Sequence, residues 1–359
     1  MSLSEFSYYL RKFGPIAVLG LILFVLFFMI ISLGVKSLTS RPVQTVFVPA
    51  FGQLTPINFS VKVEYPPSPE FTIDNIEGRP TTATRSADIF YIPPPSTRFG
   101  YVQNILLMAK AVGFNTSEEK YSLNGTAASF ENATQKLDVD IRNFNFTFDT
   151  KLETQPDIFN SSTIPPEQVI SEQAKAFLRR MDRFPDGLAQ GKEHIIYLRY
   201  EPVTKEYTVV EKIEDANVVE IDYFPPDVSG FPVVVPKYFN SQNYVVMVFA
   251  QQGSKGVIGR VVKAQIKYFE KNPAGNMYPV KTGDEAWEEL ASGKGTIVSA
   301  GQNSNKITVR QMFLGYYEPE LYQDFFQPVY VFLGDNNFAA YVPAVTNMYV
   351  ATDSAKAAP

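Results

Sequence analysis

One histidine, His194, and no cysteine are all that this 359-residue chain offers to the usual nucleophile chemistry. Without a thiol there is no cysteine nucleophile, no disulfide, no zinc–thiolate site and no iron–sulfur cluster. Without a second histidine there is no two-histidine metal site. A Ser–His–Asp triad would have to use His194, and no G-x-S-x-G elbow accompanies it. His194 stands at the mouth of a predicted strand, "HIIYLRY", where a lone histidine reads as a structural or surface residue. Two carboxylate pairs, Asp284–Glu285 and Glu288–Glu289, fall in the first turns and on the outer face of a predicted short helix, where capping and solvation account for them. Gly334-Asp335-Asn336-Asn337 lacks the spaced carboxylates and downstream glutamate of a calcium loop. The same residues suit a hairpin turn. No G-x-G-x-x-G or P-loop pattern is present. The expectation is a chain with no catalytic, cofactor-binding or metal-ligating residue, and no enzyme activity.

The formal net charge is −5 with no long basic run, so a phosphate-neutralising surface for nucleic acid has little support. Hydrophobic residues make up 45% and aromatic residues 14%, enough to fill real cores. N-x-S/T occurs at Asn58, Asn115, Asn124, Asn132, Asn145 and Asn160. Glycosylation of a eukaryotic type II membrane protein is one reading. Accidental sequons in an Asn/Ser/Thr-rich bacterial domain is the other, favoured by the absence of disulfides. Asn145 alternates with Phe144 and Phe146, which predicts that it points away from their aromatic face.

The elements that must hold these residues begin with an apolar run. Gly14–Val35 carries no charge, and a helix of that length rises about 33 Å at ~1.5 Å per residue, enough for a ~30 Å hydrocarbon core. It is longer than a cleavable signal's apolar region and lacks a good cleavage site after it. An uncleaved anchor is expected, with residues 1–13 cytoplasmic and the remainder extracytoplasmic. Residues 36–94 read as a Pro-rich stalk with strands, "FSVKV" and "DIFYI" among them. Residues 95–160 form a first α+β unit. It starts with a helix over Arg98–Val112, stopped by Gly113. Strands follow, in which Leu137, Val139 and Ile141 are out of phase with Phe144, Phe146 and Phe148. That switch predicts a bulge or two strands. Residues 161–350 form a second α+β unit. Its first helix, in "PPEQVISEQAKAFLRRM", has Ile170, Ala174, Phe177, Leu178 and Met181 as its apolar stripe. Strands come next, including one in which Val262, Ala264, Ile266 and Tyr268 face oppositely to Lys263, Gln265 and Lys267. Thr282 and Glu285 form a capping box that starts a short helix, with Trp287 and Leu290 turned inward and Gly293 as its stop. Trp287 is expected to be buried against a closing hairpin that carries Tyr330 and Tyr341. Residues 351–359 read as a disordered tail. The element order argues an α+β fold of antiparallel sheets with packed helices.

From about Pro165 onward the chain resembles the YycH/YycI type of bacterial regulatory proteins, whose folded parts contain PepSY-like units. The residues that carry the resemblance are "YPVKTGDEAWEELASGKG", "ITVRQMFLGYYEP" and the pair "QPVYVF" and "FAAYVPAV", in that order, behind an N-terminal anchor. The resemblance implies a bitopic, non-enzymatic, signal-transducing regulator that touches a sensor kinase through its membrane helix and outer domain. Two other readings share the layout: a scaffold component of a secretion, pilus or division complex, and an exported hydrolase. The expected partners are the membrane and a second membrane protein.

Overall fold

The computed structural model describes residues 20–29, 31, 49–63, 69–159, 163–252, 256–301 and 306–351. Residues 20–29 form helix α1, with exposed apolar side chains. The remainder of the run expected to span a membrane lies outside the described residues, as do residues 1–13 and 352–359. Among the described residues no helix is long and apolar enough to cross a membrane.

From Val48 onward the chain is one compact α+β unit dominated by antiparallel sheets, with few helices. The largest sheet has nine strands in the order β3-β4-β5-β6-β12-β11-β9-β7-β8. These are β3 Ser122–Asn124, β4 Ala127–Glu131, β5 Gln135–Asp140, β6 Phe146–Thr150, β7 Lys192–Glu201, β8 Glu206–Val209, β9 Val218–Phe224, β11 Tyr244–Gln251 and β12 Val257–Ile266. The phase switch after Ile141 is therefore the turn between two paired strands, with Val139 opposite Phe146. The β6–β12 pairing joins the two stretches expected as separate units, residues 95–160 and 161–350, within this sheet.

Helices α2 (Tyr101–Ala111) and α3 (Glu167–Arg180) supply Ile105, Met108 and Ala109, and Ile170, Ala174, Phe177 and Leu178, to one core with Val219, Ile221, Val245, Phe249 and Ile266. Each of the larger of these buried side chains stabilises the fold by roughly 1.5–3 kcal/mol relative to exposure. Gly113 follows α2 at φ +94°, a left-handed stop that a side chain resists. Acidic Glu167 begins α3 and Arg179 and Arg180 end it, each charge opposing the helix dipole. A register shift between Val246 and Met247 makes Val262 the extra residue on β12. Val262 accordingly joins the opposite face, with Leu198, Val218 and Val248, rather than following Ala264 and Ile266 as its alternation predicts.

A six-stranded sheet runs β1 (Glu70–Ile73), β15 (Lys306–Tyr317), β17 (Pro328–Gly334), β18 (Phe338–Pro343) and β14 (Thr296–Ala300), with β10 (Val233–Val234) also on β15. β1 and β10 pair with β15 in parallel. A three-stranded sheet sets β2 (Ser86–Tyr91) between β13 (Gly275–Pro279) and β16 (Phe325–Phe326). Residues 70–91, expected within a stalk, thus supply one strand to each of these sheets. "FSVKV" forms no strand; its Val63 amide donates to the Ile297 carbonyl at 2.9 Å.

Beyond the one-turn helix α4 (Asp186–Ala189), the short helix α5 (Gly283–Ala291) starts at the expected capping box: Thr282 Oγ1 accepts from the Glu285 amide, and Glu285 accepts from the Thr282 amide at 2.7 Å. Ala286 and Leu290 pack on the six-stranded sheet, and Gly293 stops the helix at φ +76°. Trp287 departs from expectation. It is half-buried, with its ring 6.4 Å from Phe71 and 6.2 Å from Phe332. Tyr330 lies on the helix side, but Tyr341 is on the other face, beside Tyr317 and Phe59. The hairpin register explains this: Val331 opposes Tyr341 and Tyr330 opposes Val342, so the two tyrosines occupy opposite faces.

Candidate functional site

The sheet face turned away from α2 and α3 carries a polar row. In register across neighbouring strands stand His194 (β7), Asp222 (β9), Tyr244 (β11), Gln265 (β12) and Thr147 (β6). Glu220 follows two residues before Asp222 on the same strand face. A cavity of about 300 Å³ opens on this face, lined by Glu220, Tyr244, Lys263 and Gln265 from the sheet. Residues Pro236, Lys237, Asn240, Ser241 and Gln242, from the segment between β10 and β11, and Glu320, beyond β15, complete it.

That segment is tied to both sheets. At one end the Tyr341 hydroxyl donates to the Val235 carbonyl at 2.7 Å. At the other, the Ser241 amide donates to Asp222 Oδ2 at 2.8 Å and its hydroxyl to the Tyr223 carbonyl at 2.6 Å. Asn243 Oδ1 accepts from the Lys267 amide at 2.8 Å. Gln242 Nε2 donates to the carbonyls of Lys267 at 2.9 Å and Pro319 at 3.1 Å. Gln265 Nε2 donates to the Gln242 carbonyl at 3.0 Å. Tyr238, at φ +58°, marks the bend.

Asp222 is fully buried, and burial pushes its carboxyl up to about 8, against a bond from the Ser241 amide that pulls it down. Burial also raises Glu220, while its hydrogen bond with Asp222 and the charges of Lys263 and Lys237 hold it back. Burial thus favours a shared proton bridging the two carboxyls, since Asp222 Oδ1 otherwise has no donor among the described residues. Burial and neighbouring carboxylates raise the Tyr244 phenol, so it stays a hydrogen-bond donor. As chemistry, the arrangement offers two carboxylates, two ammonium groups and a phenol around a small space.

The residues singled out in the sequence lie elsewhere or do other work. His194 is exposed and does not line the cavity, although it is the strand-register partner of Asp222. Glu285 caps α5, and Glu289 binds buried Lys281 at 2.8 Å and accepts from Asn347 Nδ2 at 3.0 Å. Asp284 and Glu288 are exposed. Asp335 sits on Arg310 through two bonds of 2.9 Å, which hold its carboxyl below its ordinary value; Arg310 also pairs with Asp74. Among the described residues no cluster of His, Cys, Asp and Glu could hold a metal ion. Of the sequons, Asn58, Asn115 and Asn124 are exposed and Asn160 lies outside the described residues. Asn145, expected to point outward, is buried: its Oδ1 accepts from Arg183 at 2.6 Å and from the Tyr268 amide at 3.1 Å. Asn132 is held by Glu119 and by the Thr134 and Gln135 amides. The signal that sequence reasoning missed is legible in "VVEIDYF": Val219, Ile221 and Tyr223 alternate with Glu220 and Asp222, which puts two carboxylates on one face of an interior strand.

No family model and no curated protein matches the chain. Among solved structures, an uncharacterized protein from Eubacterium rectale ATCC 33656 is 13% identical over 76% of this chain and 87% of its own, at a TM-score of 0.33. The Bacillus megaterium YpeB C-terminal domain is 10% identical over 70% of this chain and 95% of its own, at a TM-score of 0.28.

Proposed function

We propose that the protein is a non-catalytic recognition module, anchored in a membrane through Gly14–Val35, whose folded body acts outside the cytoplasm on a second membrane protein of the sensor-kinase kind. The observation that carries this reading is the construction of the cavity. One wall is the polar face of the nine-stranded sheet, and the other is a segment bonded to the six-stranded sheet, so whatever binds there touches both. Binding energy can then bias the relation between the two sheets, which is the property a regulatory module needs. The chemistry of the lining agrees. Ser241 spends its hydroxyl proton on a backbone carbonyl, so it is not held as a nucleophile. The YycH/YycI resemblance of the closing residues adds the kinase as partner.

The test is photocrosslinking in cells. A photoreactive phenylalanine analogue at exposed Phe239, beside the cavity segment, should capture a membrane kinase in the intact envelope. Capture of secretion, pilus or division components instead would replace the regulatory reading with a scaffold one. Adducts confined to cytoplasmic proteins would overturn the topology as well.

A further inference from the structure

The cavity beside the nine-stranded sheet is ringed by charge. Lys237, Lys263, Glu220 and Glu320 all line it, yet among the described residues none of the four closes an ion pair. Glu320 has Ser60 Oγ at 3.4 Å, and Lys263 stands 5.8 Å from the centre of the Tyr244 ring. Lys263, Glu220 and Glu320 are half-buried and Lys237 is exposed at the rim. The sheet fixes two of these residues in one cross-strand row, since Lys263 and Glu220 both oppose Val246, one on each side of it. A second observation points the same way. Gln242 is 6% exposed and lines the cavity, and its Oε1 has no partner although its Nε2 has two. A buried acceptor left bare is costly, and natural folds seldom leave one without use.

Ligand choice follows from the balance of charge. The lining holds two cations, Lys237 and Lys263, and two anions, Glu220 and Glu320. An anion would satisfy the lysines and be repelled by the glutamates, and a cation the reverse. A purely neutral ligand would desolvate all four charges and pair none. We infer that the cavity binds a small zwitterion, an ammonium and a carboxylate on one short skeleton, as in a free amino acid or a dipeptide. The carboxylate goes to Lys237 and Lys263, with the Tyr244 hydroxyl as a further donor. The ammonium goes to Glu220 and Glu320, with Gln242 Oε1 as its third acceptor. At about 300 Å³ the space stands at the small end of ligand pockets, typically ~300–1,000 Å³, which suits a molecule of this size. The inference rests on the recognition reading above and gives it a ligand class.

The experiment is a thermal-shift and calorimetric screen of the purified full-length chain. The probes are the free L-amino acids and alanyl-alanine, with their N-acetyl and carboxamide derivatives. Expected is a melting shift with at least one zwitterion, lost when either its ammonium or its carboxylate is blocked. Response to the free amino acids alone, or to the dipeptide alone, separates the two sources. Lys237→Gln and Glu320→Gln each remove one charge at the cavity and should weaken binding about tenfold or more, because a hydrogen bond to a charged group is lost. Equal binding of the blocked derivatives, or no shift with any zwitterion, overturns the inference. The crosslink at Phe239 distinguishes the two failures. If it persists in cells while no zwitterion binds, the recognition reading stands and the ligand class falls.

Discussion

Asp222 shows how one side chain can record its surroundings in a pH profile. Its ordinary value is 3.8 and burial lifts it to about 8, so the folded chain holds a proton there that the unfolded chain releases. Stability from this carboxyl is therefore complete below about pH 4 and is lost as the pH rises through about 8. Glu220 is raised by burial and adds a dependence of the same sign. The other charged groups facing the pair are Lys237 and Lys263, with Glu320 and the Tyr244 phenol across the cavity. Asp222→Asn keeps the shape and cannot titrate, so urea midpoints measured between pH 4 and 8 should decline less than those of the parent. Parallel profiles would show that Asp222 is charged throughout. A second buried ionisable pair behaves differently. Lys271 Nζ lies 2.5 Å from Glu318 Oε2 and 3.9 Å and 4.9 Å from the ring centres of Tyr268 and Phe326. Burial pushes the lysine down and the glutamate up, against their mutual attraction. Lys271→Met should cost about 3–5 kcal/mol in urea unfolding, because it strands a buried carboxylate, whereas Lys271→Met with Glu318→Leu should recover most of that loss. A single variant as stable as the parent would mean the carboxylate is already neutral.

Helix α5 is where local and long-range signals can be compared. Its start, its stop and two of its buried residues, Ala286 and Leu290, follow from the capping box and the helical period. Trp287 contacts Phe71 and Phe332 while keeping part of its ring in water. Trp287→Ala should therefore cost about 2 kcal/mol, below the ~3–5 of a fully buried aromatic. As the only tryptophan, its native emission should be intermediate and shift red on unfolding. Emission already at the unfolded wavelength, with no loss of stability in the variant, would place it outside the core. The same contrast marks what could be read from sequence. Strands β7, β9, β11, β12 and β15 are visible as β-branched runs, and α3 as a stripe of Ile170, Ala174, Phe177 and Leu178. The face of Tyr341 was not, because a three-residue turn, Asp335–Asn337, sets the register, and a one-residue change flips every side chain. Neither was the parallel docking of β1 and β10, which depends on partners far along the chain. The cavity was half legible: Glu220 and Asp222 advertise a polar face, but Lys237 and Glu320 reach it only through the fold.

At the scale of the whole body, residues 49–63 and 69–94 are structural. Leu54, Ala87, Ile89 and Ile92 are buried, and the Leu54 amide donates to the Tyr349 carbonyl at 2.8 Å. A chain beginning at residue 48 should unfold in one cooperative transition by circular dichroism, while one beginning at residue 95 should lose it, since its six-stranded sheet lacks β1 and its three-stranded sheet the middle strand. Equal cooperativity in the two would return residues 48–94 to the status of a stalk. The parallel seat of β1 on β15 also has a consequence in time. Asp74, just past β1, meets Arg310 across 236 positions of chain. At synthesis rates of ~5–20 residues per second, the first strand waits roughly ten to fifty seconds for its partner to be made. During that interval the new β1 is an open edge, and "YPPSP" immediately ahead of it supplies three prolines that have no amide hydrogen to offer a stray strand. The proline-rich approach to the fold then acts as a guard on the nascent chain, and hydrophilic replacements there should show themselves in aggregation during synthesis rather than in the stability of the finished protein.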